Sequence, residues 1–266
     1  MANQKMSGAY GTREWAEHTD NVILGCAHHC KYCYACTMAV MYGRVTAANW
    51  TNEVPRQGKT VKLFSSRAMI PSTHDITPQN ISVVLPRILE LLRAGNTLLI
   101  VSKPHLECVK ELCARLSQYK DKVLFRFTVG SPDSDVLKFW EPNAPSCEER
   151  LEALKYAFGE GYQTSLSIEP MLDTLENIKV LISRAIPFIT DAIWVGKPNA
   201  LIPRLKINGA YDPDTAARVQ QFEAWYSDDN IRAMYQEFKD NGKIKWKESI
   251  KRVVGIKIPT EKGLDM

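Results

Sequence analysis

The chain has 266 residues, of which 45% are hydrophobic and 24% charged; that is ample for one large core and rules out wholesale disorder. There are 34 Lys and Arg against 30 Asp and Glu, giving a formal net charge of +4 and a pI of about 8.6, a mild basicity that suits an anionic partner without demanding one. No apolar run is long enough to span a bilayer, and the polar N-terminus MANQKMSGAYGTREWAEHTD lacks the apolar core of a signal peptide, so a cytoplasmic location and no membrane association are expected.

In chain order, the apolar segment around Asn21–Leu24 is the expected first strand. A cysteine-rich loop follows it, and a second strand is expected around Ala68–Pro71. Val84, Ile88, Leu91 and Leu92 recur at helical spacing, and Gly95 stops that helix. Thr97–Ser102 reads as a buried strand, Leu106, Val109, Cys113 and Leu116 as one helix face, and Val123–Val129 as the next strand. Leu151, Leu154 and Phe158 mark a helix closed by Gly161, followed by a strand over Thr164–Ile168. Ile178, Leu181 and Ile182 mark another helix, and Ala192–Val195 is the sixth strand. Strict alternation predicts an α/β fold, a parallel sheet covered by helices, either an arc of six barrel units or a doubly wound sheet. Beyond about Leu201 the alternation fails. Residues 213–240 look helical and a lysine-rich tail follows, so 1–200 is expected to form the main unit and 201–266 a helical, basic extension packed on it.

Seven cysteines are present, and four of them (Cys26, Cys30, Cys33 and Cys36) lie within eleven residues. An odd count so clustered points to metal ligation rather than a disulfide framework. Cys26, Cys30 and Cys33, spaced by three and then two residues, suit one small inorganic cluster, because thiolates are soft ligands for iron–sulfur or zinc. Three ligands leave one iron of a cubane open. Zinc is the alternative, with Cys36, His28 or His29 as fourth ligand, and would make the chain a non-catalytic, zinc-stabilised nucleic-acid-binding protein.

The string GCAHHCKYCYA resembles the radical S-adenosylmethionine (radical SAM) superfamily, whose CxxxCxΦC pattern it matches with Tyr32 as the aromatic. It is most similar to the spore photoproduct lyase branch, as is the later FWEPNAPSCEERLEALKYAFGEG, so the likeness runs from about Asn21 to Asn199. The resemblance implies a partial (β/α)6 TIM-like barrel and a [4Fe–4S] cluster on Cys26, Cys30 and Cys33. It also implies S-adenosylmethionine bound at the open iron and cleaved reductively to a 5′-deoxyadenosyl radical, and an electron donor such as flavodoxin or ferredoxin. It further assigns Lys103 to the cofactor carboxylate, Ser131 to a cofactor contact, and Tyr32 and Tyr34 to the flanks of the adenine.

In parallel barrels the active site lies at the C-terminal strand ends. Polar residues recur there: Ser72-Thr73-His74-Asp75, Lys103, Ser131, Glu169 and Lys197. Glu169 is costly in apolar surroundings without a partner, so it is expected either to pair with Lys197 or Lys103 or to contact ligand. His74, Glu169 and Lys197 are the candidate catalytic residues. The superfamily's Gly-Gly-Glu-type motif is absent after the second strand, so Ser72 and Thr73 become the candidates for the cofactor's amino group. Ser72 also stands where spore photoproduct lyase has a hydrogen-donating cysteine, and a serine O–H bond is too strong for that role. The substrate expected from the branch is a nucleic acid or nucleotide; the missing thiol favours a small metabolite or peptide instead. From Lys239 to Lys257, seven Lys and Arg interleave with Trp246, Ile250 and Val253, either as a nucleic-acid face or as an amphipathic helix with solvated lysines.

Overall fold

The computed structural model describes residues 11–263; the first half of the polar N-terminal stretch, residues 1–10, and residues 264–266 lie outside the described residues. The chain builds β1 (His18–Thr19), a two-stranded antiparallel ribbon of β2 (Ile23–Leu24) and β3 (Val54–Pro55), and α1 (Tyr34–Met41) between them. Strand and helix then alternate: β4 (Ala68–Ile70), α2 (Ile81–Arg93), β5 (Leu98–Ser102), α3 (Leu106–Arg115) and β6 (Val123–Thr128). After β6 come α4 (Ser134–Trp140), α5 (Cys147–Gly159), β7 (Gln163–Ile168), α6 (Leu175–Ala185) and β8 (Ile193–Val195). The last part holds α7 (Leu201–Ile207), α8 (Pro213–Trp225), α9 (Asp228–Phe238), β9 (Ile244–Trp246) and α10 (Glu248–Val254).

Seven strands form one all-parallel sheet in the order β1-β4-β5-β6-β7-β8-β9. Apart from the small ribbon the order follows the chain, so every crossover steps the same way. A doubly wound sheet reverses direction at a switch point. The architecture is therefore a barrel arc, and the ambiguity left by alternation is resolved.

Two expectations change at the ends of the arc. The first strand is His18–Thr19, and Ile23–Leu24 pairs with Val54–Pro55 outside the sheet. A seventh strand comes from the segment read as a helical extension: Ile244–Trp246 pairs with Ile193–Val195. The helical stretch 213–240 is two helices, because the Ser227 hydroxyl accepts from Asn230 N and starts α9 afresh.

Side chains alternate across the arc with a period of two. Ala68, Ile70, Leu98, Ile100, Val123, Phe125, Phe127, Leu166, Ile193 and Val195 face the helices in the main core. Met69, Leu99, Val101, Leu124 and Trp194 face the concave side, where Trp15 packs against them. That concave side also holds charge. Arg126 lies 4.8 Å from the Trp15 ring and 5.2 Å from the Trp194 ring, and pairs with Asp191 at 3.0 Å. Lys247, just past β9, is fully buried; its Nζ lies 2.7 Å from Glu14 Oε1, 3.3 Å from Glu169 Oε2 and 4.2 Å from the Trp15 ring. Lys251 lies 3.9 Å from Glu14 and is likewise buried. The tail thus sends two of its lysines inward, while Trp246 and Ile250 join the core; Lys243 and Lys257 remain exposed. No helix among the described residues is long and apolar enough to cross a membrane.

Removing one partner of a buried ion pair leaves the other charge without compensation. Lys247→Ala is expected to lower the free energy of unfolding by about 3–5 kcal/mol, measured by urea denaturation. Exposed Lys257→Ala should change it by less than about 0.5 kcal/mol.

Candidate active site

All parallel strands end on one face, and there a cavity of about 590 Å³ opens, within the range of small-ligand sites. Cys26, Cys30 and Cys33 line one wall, with Tyr32, Tyr34, Ser72, Thr73, His74, Asp75 and Lys103. Glu169, Lys197, Asn199, Arg204 and Glu248 line another. Ser131 is not on the wall. Its hydroxyl donates to Asp173 Oδ2 at 2.6 Å and accepts from Asp133 N at 2.9 Å, fixing the turn after β6.

The cysteine loop is held from several directions. Gly25 starts it at φ +98°, and a Cβ there would sit 2.3 Å from Asn52 O, so only glycine fits. Cys26 N donates to Trp50 O, Ala27 N to Glu53 Oε1, and Lys31 N to Trp140 O. Cys33 caps α1, its sulfur accepting from Cys36 N at 3.4 Å. Asn208, after α7, donates to the carbonyls of Lys31 and Cys33 and accepts from Thr37. From the Glu-Pro-Asn-Ala-Pro string, Asn143 donates to Ala27 O, and Glu141 accepts from the Tyr32 hydroxyl while pairing with buried Arg150 at 2.6 Å.

Asp75 is the hub. It accepts from His28 Nδ1 at 2.9 Å, Ser102 Oγ at 3.1 Å and Lys103 N at 2.7 Å, lies 3.6 Å from Lys103 Nζ, and takes the Cys26 thiol at 3.9 Å. Burial alone would raise its carboxyl; the Lys103 charge, then His28, hold it well below the usual carboxylate range. Lys103 is raised in turn: burial is the largest single effect and opposes its charge, but Asp75, Cys30, Tyr32 and Glu141 together outweigh it. His28 Nε2 in turn lies 3.0 Å from His105 Nε2, within hydrogen-bond distance.

His74 is buried. Its Nδ1–H donates to Asp75 O at 2.9 Å, and its Nε2 has no partner among the described residues. Burial lowers its pKa, favouring the neutral ring with an acceptor nitrogen. Asn21 holds the Ser72–Thr73 turn, accepting from both backbone nitrogens and donating to Ser72 Oγ; Tyr34 OH donates to Ser72 O. Glu169, raised by burial, pairs with Lys247 rather than with Lys197 or Lys103. Lys197 reaches exposed Asp228 at 3.9 Å.

The donor set tests the expected cluster. All seven cysteines are free. Burial pushes the thiols of Cys26, Cys30 and Cys33 up, so thiolates there require a cation, which metal ligation supplies. Cys26, His28 and Asp75 form a compact group with ligand atoms within 4.8 Å of one another, while the three cysteines are not grouped so tightly. Four-coordinate zinc, with Zn–S of about 2.3 Å, needs its sulfurs close together, whereas a multi-iron cluster spans more widely spaced thiolates. The three cysteines therefore fit a cluster better than a single ion.

The fold is that of solved radical SAM partial barrels. Spore photoproduct lyase superposes with a TM-score of 0.54 at 17% identity, covering 92% of this chain and 78% of that one. A variant of it with bound AdoMet and dinucleoside spore photoproduct gives 0.55 at 16% identity, covering 91% and 77%. SuiB of Streptococcus suis, bound to precursor peptide SuiA, gives 0.52 at 13% identity, covering 87% and 49%. The chain thus resembles the radical SAM superfamily in its fold. No protein-family profile matches it. Two curated relatives are uncharacterised proteins. ORF301 of Acidianus two-tailed virus is 26% identical over 166 residues, 57% of this chain and 54% of its own. MJ0683 of Methanocaldococcus jannaschii is 25% identical over 177 residues, 65% and 67% respectively. The match therefore spans about half the length of the viral relative and two thirds of the archaeal one.

Because the backbone at Gly25 admits no Cβ, Gly25→Ala is expected to displace the loop. Iron retained after anaerobic reconstitution should fall severalfold while the far-ultraviolet circular dichroism stays that of the wild type.

Proposed function

We propose that this protein is a radical SAM enzyme with a [4Fe–4S] cluster on Cys26, Cys30 and Cys33. The observation that carries this reading is that three thiols at CxxxCxxC spacing open into one cavity at the C-terminal ends of a parallel barrel arc. A cluster held there would supply the one-electron reduction that splits S-adenosylmethionine into methionine and a 5′-deoxyadenosyl radical able to take a hydrogen atom from the substrate.

The chain's own residues bind and orient. Tyr32, its hydroxyl fixed by Glu141, presents a ring edge or face to the adenosyl group, with Tyr34 on the other flank. Lys103, kept protonated by Asp75, is the donor for the cofactor carboxylate. In place of the missing Gly-Gly-Glu, the acceptors for the cofactor ammonium are His74 Nε2 and the Ser72–Thr73 turn. Glu169 and Lys197 face the substrate, and burial of the cysteine wall excludes water from a reactive radical. Ser131 acts by holding the turn through Asp173, without touching the cofactor. One-electron supply falls to a flavodoxin or ferredoxin, and seven free cysteines suit a reducing cytoplasm. Neighbours of similar likeness have been solved with a dinucleoside photoproduct and with a peptide, so both a nucleotide-type and a peptide or small-metabolite substrate stand as readings.

Anaerobic purification should give a brown protein with iron and sulfide in cubane proportion, and incubation with S-adenosylmethionine and a strong reductant should yield 5′-deoxyadenosine. Cys30→Ala should lose the colour and the product together. A colourless wild-type protein carrying stoichiometric zinc, or a brown one that makes no 5′-deoxyadenosine, would overturn the reading.

A further inference from the structure

Four cations line the cavity: Arg13, Lys103, Lys197 and Arg204. Lys103, on the cysteine wall, is committed to Asp75. Arg204, projecting from α7 into the cavity, is half-buried and has no hydrogen bond and no carboxylate within 4.0 Å among the described residues. Its acidic neighbours Glu169 and Glu248 attract it without touching it: Glu169 lies 3.3 Å from Lys247 Nζ, Glu248 Oε1 accepts from Asn199 at 3.4 Å, and Glu248 Oε2 has no hydrogen-bond partner among the described residues. Lys197, at the end of β8, has a single long contact to a carboxylate that is 67% exposed.

The surroundings point the same way. The sequence has no acidic residue between Asp20 and Glu53 and none between Asp191 and Asp212, although it contains 30 in all. These two stretches supply α1 and α7, which pack together at the cavity. They carry Lys31, Arg44, Lys197, Arg204 and Lys206, with Met41, Tyr42 and Tyr211 exposed among them. A half-buried guanidinium without a partner is costly, and here burial lowers its pKa. Its planar fork of five donors matches the oxygens of a phosphate or a carboxylate.

We infer that Arg204, assisted by Lys197, anchors an oxyanion of the substrate, phosphate or carboxylate, where α7 borders the cavity. This deepens the radical SAM reading and rests on it for taking the cavity as a substrate site. Anchored there, the substrate enters over the acid-free rim of α1 and α7, and its remainder lies toward the cysteine wall.

The test is calorimetric titration of the anaerobic, cluster-loaded protein at low ionic strength with pyrophosphate, and separately with S-adenosylmethionine. Wild type should bind pyrophosphate at one site. Arg204→Gln should weaken it by about tenfold, Arg204→Lys by less, and the distant surface variant Lys110→Gln not at all. S-adenosylmethionine affinity should stay within about threefold in Arg204→Gln, since Lys103 and Tyr32 are untouched. Unchanged pyrophosphate binding in Arg204→Gln would overturn the inference. So would a parallel loss of S-adenosylmethionine, which would make Arg204 a cofactor contact. A slowed reduction by flavodoxin with pyrophosphate binding intact would assign the face to the electron donor and overturn it too. Two competitors separate the sources. Displacement by a short single-stranded oligodeoxynucleotide, weakened by Arg44→Gln and Lys206→Gln, identifies a chain of phosphates, and displacement by succinate alone identifies a small carboxylate. Displacement by neither would overturn the inference. A wild type that binds pyrophosphate through Arg204 yet holds no iron would sink the radical SAM reading and leave the anion site standing.

Discussion

Asp75 carries an ionised carboxylate in a place with almost no access to water, and the cysteine wall is organised around satisfying it. A buried carboxylate has about four acceptor sites to fill and tolerates few vacancies. Ser102 and the Lys103 backbone fill one oxygen from the end of β5; His28 and the Lys103 ammonium address the other, and the Cys26 thiol leans on the same oxygen. The loop, the turn after β4 and the end of β5 are thereby fixed to one another through a single group. Any arrangement that moved one of them would leave a charge unsolvated.

The concave side of the arc follows the same physics with the sign reversed. A sheet of seven strands that does not close has an interior that helices cannot cover. Here it is filled by two tryptophans and by cations lying over their rings, with Glu14 and Asp191 as counter-charges. Aromatic faces accept cations that would otherwise need water. Glu169 is drawn into this system by Lys247, so the floor of the cavity and the plug of the barrel share one ion-pair network.

What the sequence disclosed and what it hid divide along sequence distance. The central strands were legible because strands buried on both faces read as unbroken apolar runs, as in Leu98–Ser102 and Val123–Thr128. His18–Thr19 was not, being two polar residues with no run to detect, and Ile23–Leu24 beside it offered a more apolar decoy. Ile244-Lys-Trp246 was hidden because it is three residues long with a lysine at its centre and lysines on either side. The cysteine motif was legible because its spacing is local in sequence. Its supports were not: Asp75, Glu141 and Asn208 lie 49, 109 and 175 residues away from their partners Cys26, Tyr32 and Cys33. Glu169 was rightly flagged as needing a partner, but the partner came from a strand that periodicity had not placed. Ser131 carried the expected polarity at a strand end and spent it on Asp173. Arg204 sits on a short helix with no motif around it; the one signal available was the absence of acidic residues on either side.

The contact between Glu14 and Lys247 joins residues 233 positions apart. The hub around Asp75 draws its partners from residues 26 to 105, and Glu141 reaches Tyr32 from not much further along. The plug of the arc closes a far longer loop, and longer loops cost more chain entropy to close. The cysteine wall can therefore take shape before the interior of the arc is filled, and the two regions differ in how local their contacts are.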